Sequence, residues 1–494
     1  MRRRLNPFAF PSPYAATFAL LIIAILAFQS AISALYLEAV FLPGLPLVSR
    51  LAFLSFPLSS LVVFPCLTAY LYLKSPKSRA KRLEPAGKYP EVLDLVRRLS
   101  ARLRVEAPKV LLKGVPTLEA EVFGNHREAY LELGEGLCRA GERLAEPIIA
   151  HELAHLRNGD VTKHCLAEEM VKAFLVTLAF HASLLLSLSP LLSGYFLRFH
   201  SSWLRGLYIL PLLIVYLLNG QLLRAREFLA DARAASLGFG RGLSIALRLL
   251  ASKPRLIDRL KGYPGPLERV RALAGSELPF EPGLGYGFAV GVLMGFLEEA
   301  LELDALMAGL GGWAYEVLPG LLSLSTGFAL YSLMALPLHF LACLKGLRVE
   351  LGQLKFLAGF ASGLALYNAY ACSFVPELAI RGLAHALLVS LFWLTLSAAQ
   401  LLLLPLLFAG GPSSRRLKLL ALTVAPSLPL GAMVLSPEVG LALLACYVAV
   451  PLTLVAVKGI GRCPNCGAEL RGFNDILICH RCGFKLNRWV LSQG

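Results

Sequence analysis

Long apolar runs recur along almost the whole chain, separated by short stretches rich in Lys and Arg. At 1.5 Å per residue, a helix of about 20 apolar residues crosses a hydrocarbon core of about 30 Å. The sequence predicts about ten such spans, near residues 14–37, 51–73, 169–190, 203–222, 286–306, 317–343, 354–374, 382–408, 419–435 and 438–457. Hydrophobic residues fill 56% of the 494 positions and charged residues only 16%, too few to cover a soluble domain of that length. The fold class expected is a polytopic α-helical membrane protein.

The formal net charge of +16 fits this picture without a nucleic-acid partner. With MRRR at the start on the inner side, the basic loops Lys74–Arg82, Arg224–Arg233, Lys345–Arg348 and Arg415–Lys418 all return to that side, as do Lys458 and Arg462. Positive loops mark the cytoplasmic face, so the pattern predicts a multi-pass cell-membrane protein in contact with the lipid bilayer. MRRR and the apolar run after it could form a signal peptide, with Ala31, Ser33 and Ala34 as cleavage-site residues. The length of the run favours an uncleaved anchor. Of ten cysteines, six are scattered singly and form no disulfide framework, which suits a reducing compartment.

Two polar regions interrupt the spans. The first, about 75–165, predicts an amphipathic helix at PEVLDLVRRLSARL, three short strands at KVLLK, AEVFG and EAYLEL, and a helix through PIIAHELAHLR. Asn158-Gly159 predicts its stop. The second, about 223–280, predicts helices ending in GYPGPLERVRALAG. Gly287, Gly291 and Gly295, and again Gly359 and Gly363, recur every fourth residue in later spans, a pattern for close helix packing.

Within AHELAHLRNGD, His151 and His155 stand one helical turn apart and point the same way. Two neutral imidazoles so placed can take two positions of a tetrahedral zinc. Glu152 lies beside the ion, where a carboxylate can take a proton from the attacking water and deliver it to a leaving amine. A longer HExxHxxGxxH motif is excluded by Asn158 and Val161. The third ligand is open among His164, Glu168, Glu169 and the RAREFLADARAA stretch, where Glu227 and Asp231 share a helix face.

AHELAHLRNGD, a two-span hairpin and then RAREFLAD together resemble the HtpX-type membrane metalloproteases, relatives of the CAAX prenyl endopeptidases. The resemblance covers about residues 1–275. It implies a zincin-like α+β catalytic domain on the cytosolic side, built from residues 76–165 and 223–280. The parts before and between these would be two N-terminal transmembrane helices (1–75) and a transmembrane hairpin (166–222). It also implies zinc bound by His151, His155 and Glu227, with Glu152 as the catalytic base. Asp231 would orient a ligand histidine and Arg224 would help to hold the site. The topology agrees, because two crossings after the metal helix return Glu227 to the side of His151 and His155, whereas Glu168 and Glu169 lead into a span. The chain departs from the family at EAEVFG, where NAFxxG is usual, and at Tyr263 in GYPGPLERV, where the HPxxxxRI pattern has histidine. If EAEVFG is the edge strand that pairs with substrate, backbone pairing survives the first departure.

At the C-terminus, CPNC and CHRC place Cys463, Cys466, Cys479 and Cys482 in two knuckles twelve residues apart. Four thiolates leave no open coordination position, so residues 459–494 are expected to form a zinc ribbon with a structural ion. Its expected role is contact with a protein partner. Residues 281–458 form a six-span region in which Glu298, Glu299, His339 and His385 resemble part of the pattern of intramembrane CAAX-processing proteases. Leu303, Ala335 and Val389 stand where that pattern needs its companions, so local hydrogen bonding at span ends is the simpler reading.

The expected function is an integral-membrane zinc endopeptidase with one catalytic and one structural zinc. It would cleave membrane or unfolded proteins at the cytoplasmic face, in membrane-protein quality control. The rival from another class is a membrane scaffold or transporter with a decayed protease motif. The intact HELAH and ExxxD segments argue against decay.

Overall fold

A computed structural model describes residues 13–41, 47–188, 194–249, 264–274, 284–307, 350–372, 461–462 and 469–470. The chain divides into two compact units, one of Phe18–Pro279 and one of Met1–Thr17 with Phe280–Gly494.

The first unit begins with apolar helices. These are α1 (Pro13–Phe41, which starts in the other unit), α2 (Leu47–Leu58), one wide π turn at Ser59–Val63 and α3 (Phe64–Ala80). Among the described residues, two helical stretches, Arg50–Ala80 and Asp160–Ser187, are long and apolar enough to cross a membrane. Of the other expected spans, those near 14–37, 203–222, 286–306 and 354–374 fall in the helices Pro13–Phe41, Gly194–Ser236, Leu284–Met307 and Glu350–Cys372, and the rest lie outside the described residues. Buried polar pairs tie these helices together: Gln29 Nε2 donates to Thr177 Oγ1 at 2.8 Å, and Ser59 meets His181.

Between the two candidate spans lies an α+β domain. Its four-stranded sheet has the order β1-β2-β4-β3, formed by Glu84–Pro85, Lys109–Leu112, Ala129–Leu133 and Ala120–Gly124 in that order. β2 and β4 run parallel, and the other two pairings are antiparallel. The three expected strands are present. β1 has only two residues, too few for any alternation to announce it. β3 is an edge strand, as the sequence reading required for substrate pairing.

α4 (Pro90–Leu103) buries Val92, Leu95, Val96, Leu99 and Leu103, the apolar stripe of its sequence. These residues share a core with Leu131 and Leu133 of the sheet and with Ile149 and Leu153 of α6 (Glu142–Asn158). A short α5 (Glu135–Arg139) precedes α6. Gly159 stops α6 in the left-handed conformation (φ 66°), which a residue with a Cβ adopts only at a cost. The chain reverses there and starts α7 (Asp160–Leu188) at once. α8 (Gly194–Ser236) is a single 43-residue helix that carries the expected span 203–222 into RAREFLAD without a break. α9 (Gly240–Leu249) and the helix Pro266–Leu273 complete the domain.

In the other unit, the helices Leu284–Met307 and Glu350–Cys372 pack through their glycines. A Cβ on Gly287 would stand 2.0 Å from the Phe356 carbonyl oxygen, and one on Gly359 2.0 Å from that of Leu284. The close packing expected from the glycine spacing is present. Gly461–Arg462 and Glu469–Leu470 pair antiparallel on either side of Cys463 and Cys466. The four cysteines, His339, His385 and Tyr263 lie outside the described residues, as do the side chains of Glu298 and Glu299.

Candidate metal centre

α6 sets His151 and His155 on its buried face, with ring centroids 4.8 Å apart and planes at 82°. α8 packs against α6 and brings Glu227 between them. One ligating atom from each of the three residues lies within 4.8 Å of the others. His151 Nε2 stands 3.4 Å from Glu227 Oε2, and His155 Nε2 stands 3.7 Å from Oε1. Tetrahedral zinc with arms of about 2.1 Å puts neighbouring ligand atoms about 3.4 Å apart. The three residues therefore fit zinc in both chemistry and spacing.

The far side of each imidazole is held by a carboxylate. His151 Nδ1 lies 2.9 Å from Asp231 Oδ1, and His155 Nδ1 lies 3.0 Å from Asp160 Oδ1. Such contacts favour a proton on Nδ1 and a lone pair on Nε2 for an ion; on His151 that Nε2 also has Arg269 Nη2 3.2 Å away. Asp231 is the residue that the resemblance assigned to orienting a ligand histidine. Asp160 has the same role toward the other histidine, a role that the sequence motif alone does not assign. Its signal was its place directly after the Asn158-Gly159 stop, where the reversal swings it back under His155.

Arg269 is the larger omission. It reaches in from the helix Pro266–Leu273, with Nη1 3.0 Å from Glu227 Oε2 and Nε and Nη2 donating to Asp231 at 2.8 and 2.7 Å. Burial penalises its guanidinium, but Asp231 and Glu227 outweigh that and raise its pKa. Burial would raise Glu227 too, yet Arg269 and the two imidazoles hold it well below the usual carboxylate range. Arg224 does not join the ligand group. It pairs with Glu268, the neighbour of Arg269, and so fastens the helix carrying Arg269 to α8. Arg226 Nε lies 3.5 Å from Asp160 Oδ1, and Arg233 Nε donates to Asn158 Oδ1 at 2.9 Å.

Four buried carboxylates (Glu152, Asp160, Glu227 and Asp231) surround the two histidines, with buried Arg226 and partly exposed Arg269 beside them. The carboxylates act on His151. Burial and Arg269 disfavour its imidazolium, but Asp231 and Glu227 prevail and push its pKa up to about 9.

Glu152 stays out of the ligand group. Its Oε2 accepts the Val122 backbone N–H of β3 at 2.9 Å, and its Oε1 lies 4.0 Å from His151 Nε2. Burial in the cleft raises its pKa. A cavity of about 610 Å³ opens over the three ligand residues and Glu152, with Ala120, Glu121 and Leu118 along one wall. The rival ligands lie elsewhere. Glu168 and Glu169 both pair with Lys172 at 2.9 Å, and with His164 they line a different cavity.

Residues 87–277, which contain the whole centre, match the model of peptidase family M48. No solved structure matches at a significant level. A protease HtpX homolog of Thermococcus sibiricus is 30% identical over 167 residues, covering 32% of this chain and 55% of that protein. One of Dictyoglomus thermophilum is 28% identical over 198 residues, covering 38% and 62%. Protease HtpX of Yersinia enterocolitica is 34% identical over 87 residues, covering 17% and 30%. The chain thus spans less than two thirds of the length of these relatives, and the region it shares with the first two is similar to proteins named as proteases.

Proposed function

We propose that this protein is an integral-membrane zinc endopeptidase that hydrolyses peptide bonds of membrane or unfolded proteins at the cytoplasmic face, in membrane-protein quality control. The observation that carries this reading is the convergence of His151 and His155 from α6 with Glu227 from α8, beside an unligated Glu152. The match to a peptidase family over the same residues supports it.

His151, His155 and Glu227 would hold the zinc. Bound there, zinc supplies Lewis acidity toward the scissile carbonyl and the attacking water. Glu152 takes the proton from that water and passes it to the leaving amine; its raised affinity for a proton suits both halves of the transfer. Asp231 and Asp160 keep both imidazoles in one orientation, and Arg269 locks Asp231 against Glu227. The edge strand β3 offers backbone groups to an extended substrate.

The rest of the reading rests on the sequence. Residues 1–75 and 166–222 would anchor the catalytic parts 76–165 and 223–280, and 281–458 would add six further spans. By the basic loops, the catalytic domain and C-terminus would face the cytoplasm. Cys463, Cys466, Cys479 and Cys482 would bind a second, structural zinc in a ribbon that contacts a protein partner.

The test is to incubate purified full-length protein with an unfolded protein substrate, with and without a zinc chelator. Cleavage that stops with chelator and returns with zinc is the expected result. A zinc-loaded protein that leaves every unfolded and membrane-anchored substrate intact would sink the reading. Metal analysis should find two zinc equivalents in the full chain and one after removal of residues 459–494.

A further inference from the structure

We propose that the cleft over the metal centre continues along β3 into a second cavity, and that this cavity takes the stretch of substrate between the scissile bond and the substrate's own transmembrane segment. The inference rests on the peptidase reading and adds to it a substrate class: membrane proteins cut a short, fixed distance from the bilayer.

The edge of β3 carries the argument. Val122 turns its N–H out of the sheet, toward Glu152. By the two-residue alternation of a strand, Ala120 and Gly124 present their backbone groups on the same outer edge. Two cavities lie along that edge. Ala120 and Glu121 line the one over His151 and Glu152. Glu121, Val122, Phe123 and Gly124 line the other, of about 510 Å³. Glu121 belongs to both walls, so the two cavities adjoin at that residue, and a substrate passing from one to the other takes the place of Glu152 on the Val122 N–H.

The second cavity ends against the two candidate membrane helices. Its other walls are Tyr70, Leu71 and Lys74 of α3 and Cys165, Glu168 and Lys172 of α7. These helices belong to the two stretches able to cross a bilayer, Arg50–Ala80 and Asp160–Ser187. Tyr70 and Leu71 fall inside the span expected at 51–73, and Lys172 inside the one at 169–190. A chain leaving β3 through this cavity therefore arrives at bilayer level between two membrane helices.

The walls suit a polypeptide better than a lipid headgroup. Arg79 is engaged by Glu121 and Glu132, donating to them at 2.9 and 3.1 Å, and stands 4.2 Å from the Phe123 ring. Lys172 is engaged by Glu168 and Glu169. Neither is available to gather a phosphate; Lys74, which donates to Tyr70, and Arg82 also line the cavity, and the strand edge and the hydroxyls of Ser75 and Ser78 offer hydrogen bonds to a backbone. At about 3.3 Å per residue, the two residues from Val122 to Gly124 cover about 7 Å. A few more cross the cavity, which puts the scissile bond roughly four to eight residues from the apolar segment.

The experiment uses the full chain in lipid nanodiscs with single-span substrates whose cleavable sequence stands about 6, 15 or 30 residues from the membrane. A short soluble peptide that fills only the metal cleft is the control. Efficient cleavage only at the shortest spacing is expected. Ser75→Trp, which fills the second cavity, should raise KM for that substrate about tenfold and leave the soluble peptide within about twofold. Ser78→Trp gives the same check from another position. In Glu152→Gln protein, a photo-crosslinker at Ser75 should capture substrate residues between the cleavage site and the span. Spacing-independent cleavage, equal effects of both tryptophan variants on both substrates, or crosslinks to lipid alone would overturn the inference while leaving the peptidase reading intact. Failure to cleave any substrate, the soluble peptide included, would take down both.

Discussion

The metal centre and the glycine-packed helix pair bury their contacts in opposite ways. Around His151 and His155, four carboxylates are buried beside Arg226 and Arg269, and removing Glu227, Asp231 or Arg269 leaves a charge without its partner. Between Leu284–Met307 and Glu350–Cys372, close approach comes from the absence of side chains at Gly287, Gly291, Gly359 and Gly363. The first region is specified by long-range pairing of unlike groups, the second by a repeat within each helix. Mutations should therefore act differently in the two.

The largest effect is expected at Glu227. Glu227→Ala removes a ligand and leaves Arg269 facing one fewer carboxylate, so zinc binding and cleavage should both be lost. Glu168→Ala and Glu169→Ala, on the far cavity, should lose neither. Zinc analysis beside a peptidase assay checks this, and full zinc retention in Glu227→Ala would remove the residue from the centre. Next comes Glu152→Gln. The variant should keep its zinc, since Glu152 is no ligand, yet cleave about 10²- to 10⁴-fold more slowly, the usual worth of a positioned acid-base group. Residual cleavage near the wild-type rate would point to another base.

A smaller loss is expected one layer out. Asp160→Asn leaves His155 without its carboxylate, and Arg269→Lys replaces a forked donor with a point charge that cannot bridge Asp231 and Glu227 together. Each should weaken zinc binding about 10- to 100-fold, read by competition with a chelator. Unchanged affinity in both would mean that α6 alone orients the ligands.

These same residues show what a sequence makes legible. His151, Glu152 and His155 are read from five consecutive positions, because helix geometry fixes their relation. Glu227 lies 72 positions past His155 and needed the family pattern together with the topology of the hairpin. Arg269 stood in plain view in GYPGPLERV, on the arginine of the HPxxxxRI pattern, but the pattern gives it no role, and nothing local separates an arginine aimed into a metal site from one on a solvated helix face. Asp160 was hidden for a different reason: its contact depends on the reversal at Gly159 (φ 66°), a backbone event rather than a side-chain pattern. α4 was legible to the residue because its apolar stripe is complete, whereas β1 is fixed only by its pairing with β2.

The smallest expected effect on catalysis belongs to the glycine pair. Gly359→Leu places a side chain where the Leu284 carbonyl oxygen already lies 2.0 Å from the position of a Cβ, so the two helices must separate. Overpacking of this kind costs typically about 1–3 kcal/mol. Every residue of the metal centre lies in the unit Phe18–Pro279, and Gly359 lies in the other. The variant should lower the thermal midpoint of the full-length protein and weaken crosslinking between cysteines placed on the two helices, with the rate of peptide cleavage unchanged. The comparison is most exposed at this point. If Gly359→Leu abolishes cleavage while zinc content and secondary structure are retained, the helix pair is coupled to the active centre, and the two regions cannot be treated as independent solutions to burial.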